Sequence, residues 1–98
     1  MKVKFIGFWE FCPEDFDKVI ERRAQAEAIR EKFPDRFPKR IFGPYWMGET
    51  SKGFTVYETD NPDQLSNLTL HYIPVVRVKF IPIHEFVRQV ELYQKMKK

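Results

Sequence analysis

The chain has 98 residues, 17 Lys and Arg against 14 Asp and Glu, and a formal net charge of +3. That length fits one domain, and a mild charge without a basic stripe interleaved with aromatics excludes nucleic acid as the default partner. No apolar run approaches the ~20 residues that span a bilayer. The single Cys, Cys12, has no internal partner, which suits a reducing cytoplasm.

Lys2–Trp9 (KVKFIGFW) is rich in β-formers and reads as a strand. Charge returns at Glu10 with no small-residue cleavage site, so a signal peptide is not expected. Pro13 fits the first position of a helix, and Glu14 and Asp15 suit its positive end. From Pro13 to about Lys32, Phe16, Val19, Ile20, Ala24 and Ile29 recur at helical spacing. The prolines of FPDRFPKR stop this helix.

Residues 41–48 (IFGPYWMG) read as a second strand, with an edge position or a bulge at Gly43-Pro44. The turn ETSKG leads into a third strand over 54–59 (FTVYET), making a hairpin. Asn61 or Asp60 caps the next helix, Pro62 occupies its first position, and Asp63 favours its dipole. That helix is expected to end near Leu70. Residues 75–83 (VVRVKFIPI) alternate as a fourth strand, with Val76, Val78 and Phe80 on one face and Arg77 and Lys79 on the other. HEFVRQVELYQKM closes the chain as a helix with Phe86, Val90 and Tyr93 on one side.

The order is β-α-β-β-α-β plus a final helix, which predicts a ferredoxin-like α+β domain over residues 1–98. Both main helices then cover one face of a four-stranded antiparallel sheet. The first strand carries Val3, Phe5, Gly7 and Trp9 on one face and Lys4, Ile6, Phe8 and Glu10 on the other. Both faces hold large apolar groups. Ten Phe, four Tyr and two Trp also exceed what a small monomer hides easily. A homodimer through the sheet face is therefore expected.

The stretch RIFGPYWMGETSKGFTVYETDNPDQL, followed by LHYIPVVRVKFIPI, resembles an uncharacterised group of small prokaryotic domains in the dimeric α+β barrel superfamily. The matching features are Gly43 and Trp46; Gly53, Phe54, Val56 and Glu58; Asp60 to Asp63; and Pro82. The resemblance runs from Lys2 to Pro82 and implies a ferredoxin-like dimeric barrel. The superfamily includes muconolactone isomerases, antibiotic-synthesis monooxygenases, haem-degrading enzymes, stress-responsive proteins and ligand-sensing domains, and fold analogy does not choose among them. Members of the group often have a His after the second-strand Trp, where this chain has Met47.

The acids of TDNPD read as helix punctuation, because a calcium loop needs further ligands in a fixed pattern. Glu58 shares a strand face with Phe54 and Val56. It is expected to look into a cavity between sheet and helices, as a candidate general base or as half of a sheet-end ion pair. His71, at the end of the second helix, suits a helix C-terminus; its alternative roles are a pocket base or a haem ligand. Trp9, Tyr45, Trp46, Tyr57 and Tyr72 are candidates to line a pocket for a flat ligand, or else core and dimer contacts. Cys12 reads as a small apolar cap residue. Two His and one Cys without ligand spacing give no zinc site, and the four scattered glycines give no phosphate loop.

The expected function is small-molecule binding or sensing in an apolar, aromatic pocket, without a cofactor. One alternative is a cofactor-independent monooxygenase or isomerase acting on a small aromatic substrate, with Glu58 or His71 as base. The other is a structural or protein-interaction dimer.

Overall fold

One hairpin, two crossover-connected strands and the helices between them set the architecture, seen in a computed structural model that describes residues 1–97. The elements are β1 (Val3–Phe11), α1 (Phe16–Lys32), β2 (Lys39–Trp46), β3 (Lys52–Thr59), α2 (Pro62–Tyr72), β4 (Val76–Ile83) and α3 (Phe86–Met96). A 3-10 turn, Pro13–Asp15, leads into α1. The strands form one antiparallel sheet in the order β2-β3-β1-β4. Among the described residues no helix is long and apolar enough to cross a membrane.

Strand alternation decides which residues meet the helices. On β3, Gly53, Thr55, Tyr57 and Thr59 are buried while the residues between them are not. Gly7, Trp9 and Phe11 of β1 face the same way, paired with Thr55, Gly53 and, on β4, Val76. The core joins Tyr57 to Ala26 of α1, Leu68 of α2 and Phe37 of the connecting loop, with Ile29, Tyr72 and Phe80 packed around it. Gly7 is small for a reason. A Cβ there would press on Tyr57 at 3.0 Å and Phe80 at 3.1 Å, the T-shaped ring pair that crosses it.

The expected bulge is present. Register shifts on either side of Phe42 accompany Gly43 at φ +93, a conformation that favours glycine, and β2 lies at the sheet edge. The second helix is capped by Asn61, whose Oδ1 accepts from the Asp63 N–H at 3.0 Å. It continues to Tyr72, two residues beyond the expected end, and the Ile73 N–H still bonds to the Thr69 carbonyl. Gln64 and Asn67 of this helix donate to the Asp35 and Arg36 carbonyls and so fasten the loop before β2.

Two expectations for the α1 region differ from the structure. Ala26, not Ala24, is the buried alanine. Phe16 and Ile20 remain about half exposed because they stand over a cleft rather than flat on the sheet. Cys12 does stand at the N-cap position of the 3-10 turn, exposed and without a side-chain cap hydrogen bond.

Among the described residues, no helix layer covers the opposite face of the sheet. It presents Phe8, Phe42, Tyr45, Ile81 and Ile83, each well exposed. The α3 helix is strongly amphipathic in sequence, yet Phe86, Val87, Val90 and Tyr93 are all exposed. The molecule measures 55 × 33 × 19 Å, with a radius of gyration of 15.7 Å, against about 13 Å for a compact domain of this length.

Candidate binding site

A cleft of about 300 Å3 opens between the sheet and the two helices that cover it. Successive turns of α1 supply one wall: Phe16, Ile20, Arg23, Glu27 and Arg30, spaced three or four residues apart and hence on one side of the helix. The floor is Thr55 and Tyr57 of β3, flanked by Trp9 and Phe11 of β1. Arg40 and Trp46 come from β2, and Leu68 and Tyr72 from α2.

The cleft has two chemically different ends. At one, four aromatic rings pack together. Trp46 meets Trp9, Phe11 and Phe16 edge-on, with ring centres 6.1, 5.4 and 5.7 Å apart, and Phe11 stacks on Phe16 at 5.6 Å. Such geometry matches the ring quadrupoles and gives a stiff apolar wall. The Trp9 indole N–H donates to the buried Thr55 hydroxyl at 3.2 Å, which fixes the ring across the sheet.

The other end is charged. The Arg40 guanidinium grips Glu27 in a fork, with Nη1–Oε1 at 2.7 Å and Nη2–Oε2 at 3.5 Å. The hydrogen bond from Arg40 holds the Glu27 carboxyl below the usual carboxylate range, against a smaller opposing effect of burial, and the nearby Arg30 and Arg23 charges add to it. Arg30 donates Nη1–H to the Pro38 carbonyl at 2.7 Å and lies over the Phe37 ring at 5.6 Å. Burial pushes the Tyr72 phenol up to about 12 and also raises that of Tyr57. Both are therefore neutral hydroxyl donors near neutral pH. Glu27 is ionised but held by its arginine, so it is poorly set to accept a proton from a bound molecule.

The description "Domain of unknown function (DUF3303)" matches residues 3–97, which takes in every strand and helix. The chain belongs to the DUF3303 family. No match was found among curated proteins or among solved structures.

In this DUF3303 domain, four of the five aromatic residues expected as pocket candidates line the cleft: Trp9, Trp46, Tyr57 and Tyr72. Tyr45 does not. It lies on the uncovered face, packed on Phe42 at 4.8 Å and Phe54 at 5.9 Å, because the bulge at Gly43-Pro44 resets the alternation of β2.

The two residues expected to act as bases stand outside the cleft. Glu58 alternates with buried Tyr57 and Thr59, opposite Lys4 on β1 and Lys39 on β2, and borders a second, more polar cavity at the sheet end with Arg30, Arg40 and Gln64. It does not reach the aromatic cleft where a base was expected. His71 joins the two helices instead of entering the space between them. Its Nε2 contacts the Arg22 carbonyl at 2.8 Å, which requires an Nε2–H donor, and Arg22 Nη1 returns a bond to the His71 carbonyl at 2.9 Å.

Sequence reasoning missed Arg23, Glu27, Arg30 and Arg40. The available signal was the run of charges at i, i+4 and i+7 in α1, on the side continuing from Ile20. A charged stripe on a helix is ordinarily its solvated side, so this signal alone does not mark a site.

Proposed function

We propose that this DUF3303 domain binds a small, largely apolar or aromatic molecule in the cleft, as a ligand-binding or ligand-sensing protein of the cytoplasm. The observation that carries the reading is the cleft itself. Its volume of about 300 Å3 lies at the lower end of the ~300–1,000 Å3 of small-molecule sites. It combines a rigid aromatic wall with a few polar groups gathered at one end, the usual composition of such sites. The enzyme reading, with Glu58 or His71 as base, is less well supported, since neither reaches the cleft.

The subunit is proposed to be ferredoxin-like and to pair as a dimeric α+β barrel. The strand order β2-β3-β1-β4 is what two interlocked split βαβ units produce. The accessible surface is 7417 Å2, about a quarter above the ~5,900 Å2 of a compact monomer of this mass. The surplus comes with an apolar sheet face and an amphipathic α3 that lack cover, and a second copy of the chain would cover both.

The test of binding uses the indole N–H signals of Trp9 and Trp46, the only two tryptophans. Titration with a panel of small aromatic molecules, followed by 15N-resolved NMR, should move both signals for at least one member. No movement for any of them at millimolar concentration would remove the reading.

A further inference from the structure

We infer that the ligand carries an anionic head group, of which a carboxylate is the best fit, and that Arg23 and Arg30 receive it at the charged end of the cleft. This rests on the proposed binding function and narrows it to small aromatic or alicyclic carboxylates.

The charged side chains lining the cleft are Arg23, Arg30 and Arg40 against a single acid, Glu27. Glu27 is already matched by the forked contact with Arg40. Two guanidinium groups are left over: Arg23, exposed at the rim, and Arg30, partly buried where an unmatched charge is unfavourable. A bound anion would offset it.

Hydrogen bonding points the same way. One Arg30 Nη1–H is taken by the Pro38 carbonyl, but its buried Nε–H has no acceptor among the described residues. A buried donor without a partner is unfavourable by about 1–3 kcal/mol, more for a charged group. Arg23 stands exposed one helical turn on the N-terminal side of Glu27, so its fork can close over an incoming group. Planar carboxylates match guanidinium forks in shape as well as charge. The neutral hydroxyl of Tyr72, also on the cleft wall, adds a donor and no competing charge.

Geometry sets the rest of the molecule. The aromatic wall of Trp9, Phe11, Phe16 and Trp46 adjoins the charged end within one cavity of about 300 Å3. A single ring joined to a carboxylate by a short chain suits both ends.

The test compares 3-phenylpropionate with its neutral isostere 3-phenylpropanamide, using the full chain. The readouts are calorimetric affinity and the Trp9 and Trp46 indole signals. The acid is expected to bind at least tenfold more tightly than the amide, with an affinity that falls as salt is raised. Arg23→Gln, at an exposed position, should abolish most of that preference with the fold intact, and Arg23→Lys should restore part of it. Arg30→Gln should weaken the acid more than the amide, with folding checked by circular dichroism. Equal affinity of acid and amide, with both shifting the indole signals, overturns the anionic head group and leaves the binding reading standing. Absence of binding by either up to several millimolar overturns the carboxylate class.

Discussion

The Trp9 indole lies directly across Gly53, its neighbour on β3, so closely that a Cβ at Gly53 would overlap the ring and the Tyr45 carbonyl oxygen. The missing side chain is what lets the tryptophan lie along the sheet and reach the Thr55 hydroxyl. A glycine in β3 thus shapes the aromatic wall of the cleft.

Gly53→Ala is expected to force Trp9 out of place, because one of the two obstacles is backbone and cannot swing aside. Overpacking of this kind costs about 1–3 kcal/mol. Denaturant unfolding should show that loss, and the near-ultraviolet circular dichroism should change with it. A variant with wild-type stability and an unchanged aromatic spectrum would contradict the close approach.

Asn61→Ala should lower stability by about 1 kcal/mol, the usual worth of an N-cap, because its side chain accepts the Asp63 N–H at 3.0 Å. Asp60→Ala should leave thermal stability nearly unchanged, since Asp60 is exposed and Asn61 holds the cap. Equal effects from the two would mean that the cap is shared.

The charged end of the cleft predicts a pH dependence with two limits. The Glu27 carboxyl is lowered in the folded state by its bond to Arg40. Its contribution is therefore present above the ordinary glutamate value, about 4.3, and lost as pH falls through the lowered folded value. The pair is partly exposed, so its coupling in a double-mutant cycle of Glu27→Gln and Arg40→Gln should be near the ~0.2–1 kcal/mol of solvent-screened pairs. Tyr72 behaves oppositely. Its phenol is raised to about 12 by burial, so its contribution is present below about 10 and lost as pH rises through the folded value. Ultraviolet titration of wild type against Tyr72→Phe should show one late-ionising phenol removed. Ionisation of Tyr72 together with the exposed tyrosines would place it in solvent.

The sheet, the helix starts and the bulge were legible because their signals are local. Alternation marks β4, Pro62 and Asn61 mark the start of α2, and Gly43-Pro44 disturbs β2 wherever the strand packs. The side of the sheet that is covered was harder to read. Both faces of β3 hold aromatic groups, and the apolar company of Glu58, Phe54 and Val56, suggested an interior. The covered face is the one with Thr55, Thr59 and Gly53, whose small and hydroxyl-bearing side chains let Trp9 and Tyr57 lie over the sheet. The arginines were invisible for a related reason. Arg23 and Arg30 on α1 have the spacing of an ordinary solvated stripe, and only the position of Arg40 opposite Glu27 shows that this side turns toward the sheet.

Phe8→Asp should separate the proposed dimer without unfolding the subunit. Phe8 sits on the uncovered face, paired with Phe54 on one side and Lys79 on the other, and is 37% exposed within one chain. A charge there is tolerable to a lone subunit in water. Buried against the apolar face of a second copy it would be unpaired, at a cost of several kcal/mol. Truncation after Glu85 provides an independent arm, because α3 has its apolar residues exposed and supports little of its own chain. The truncated subunit should keep its sheet by circular dichroism and associate more weakly. Sedimentation velocity at micromolar concentration should show a dimer for wild type and a shift to monomer in each variant. Wild type sedimenting only as a monomer would leave the uncovered face and α3 to another partner, and the barrel pairing would have to be given up.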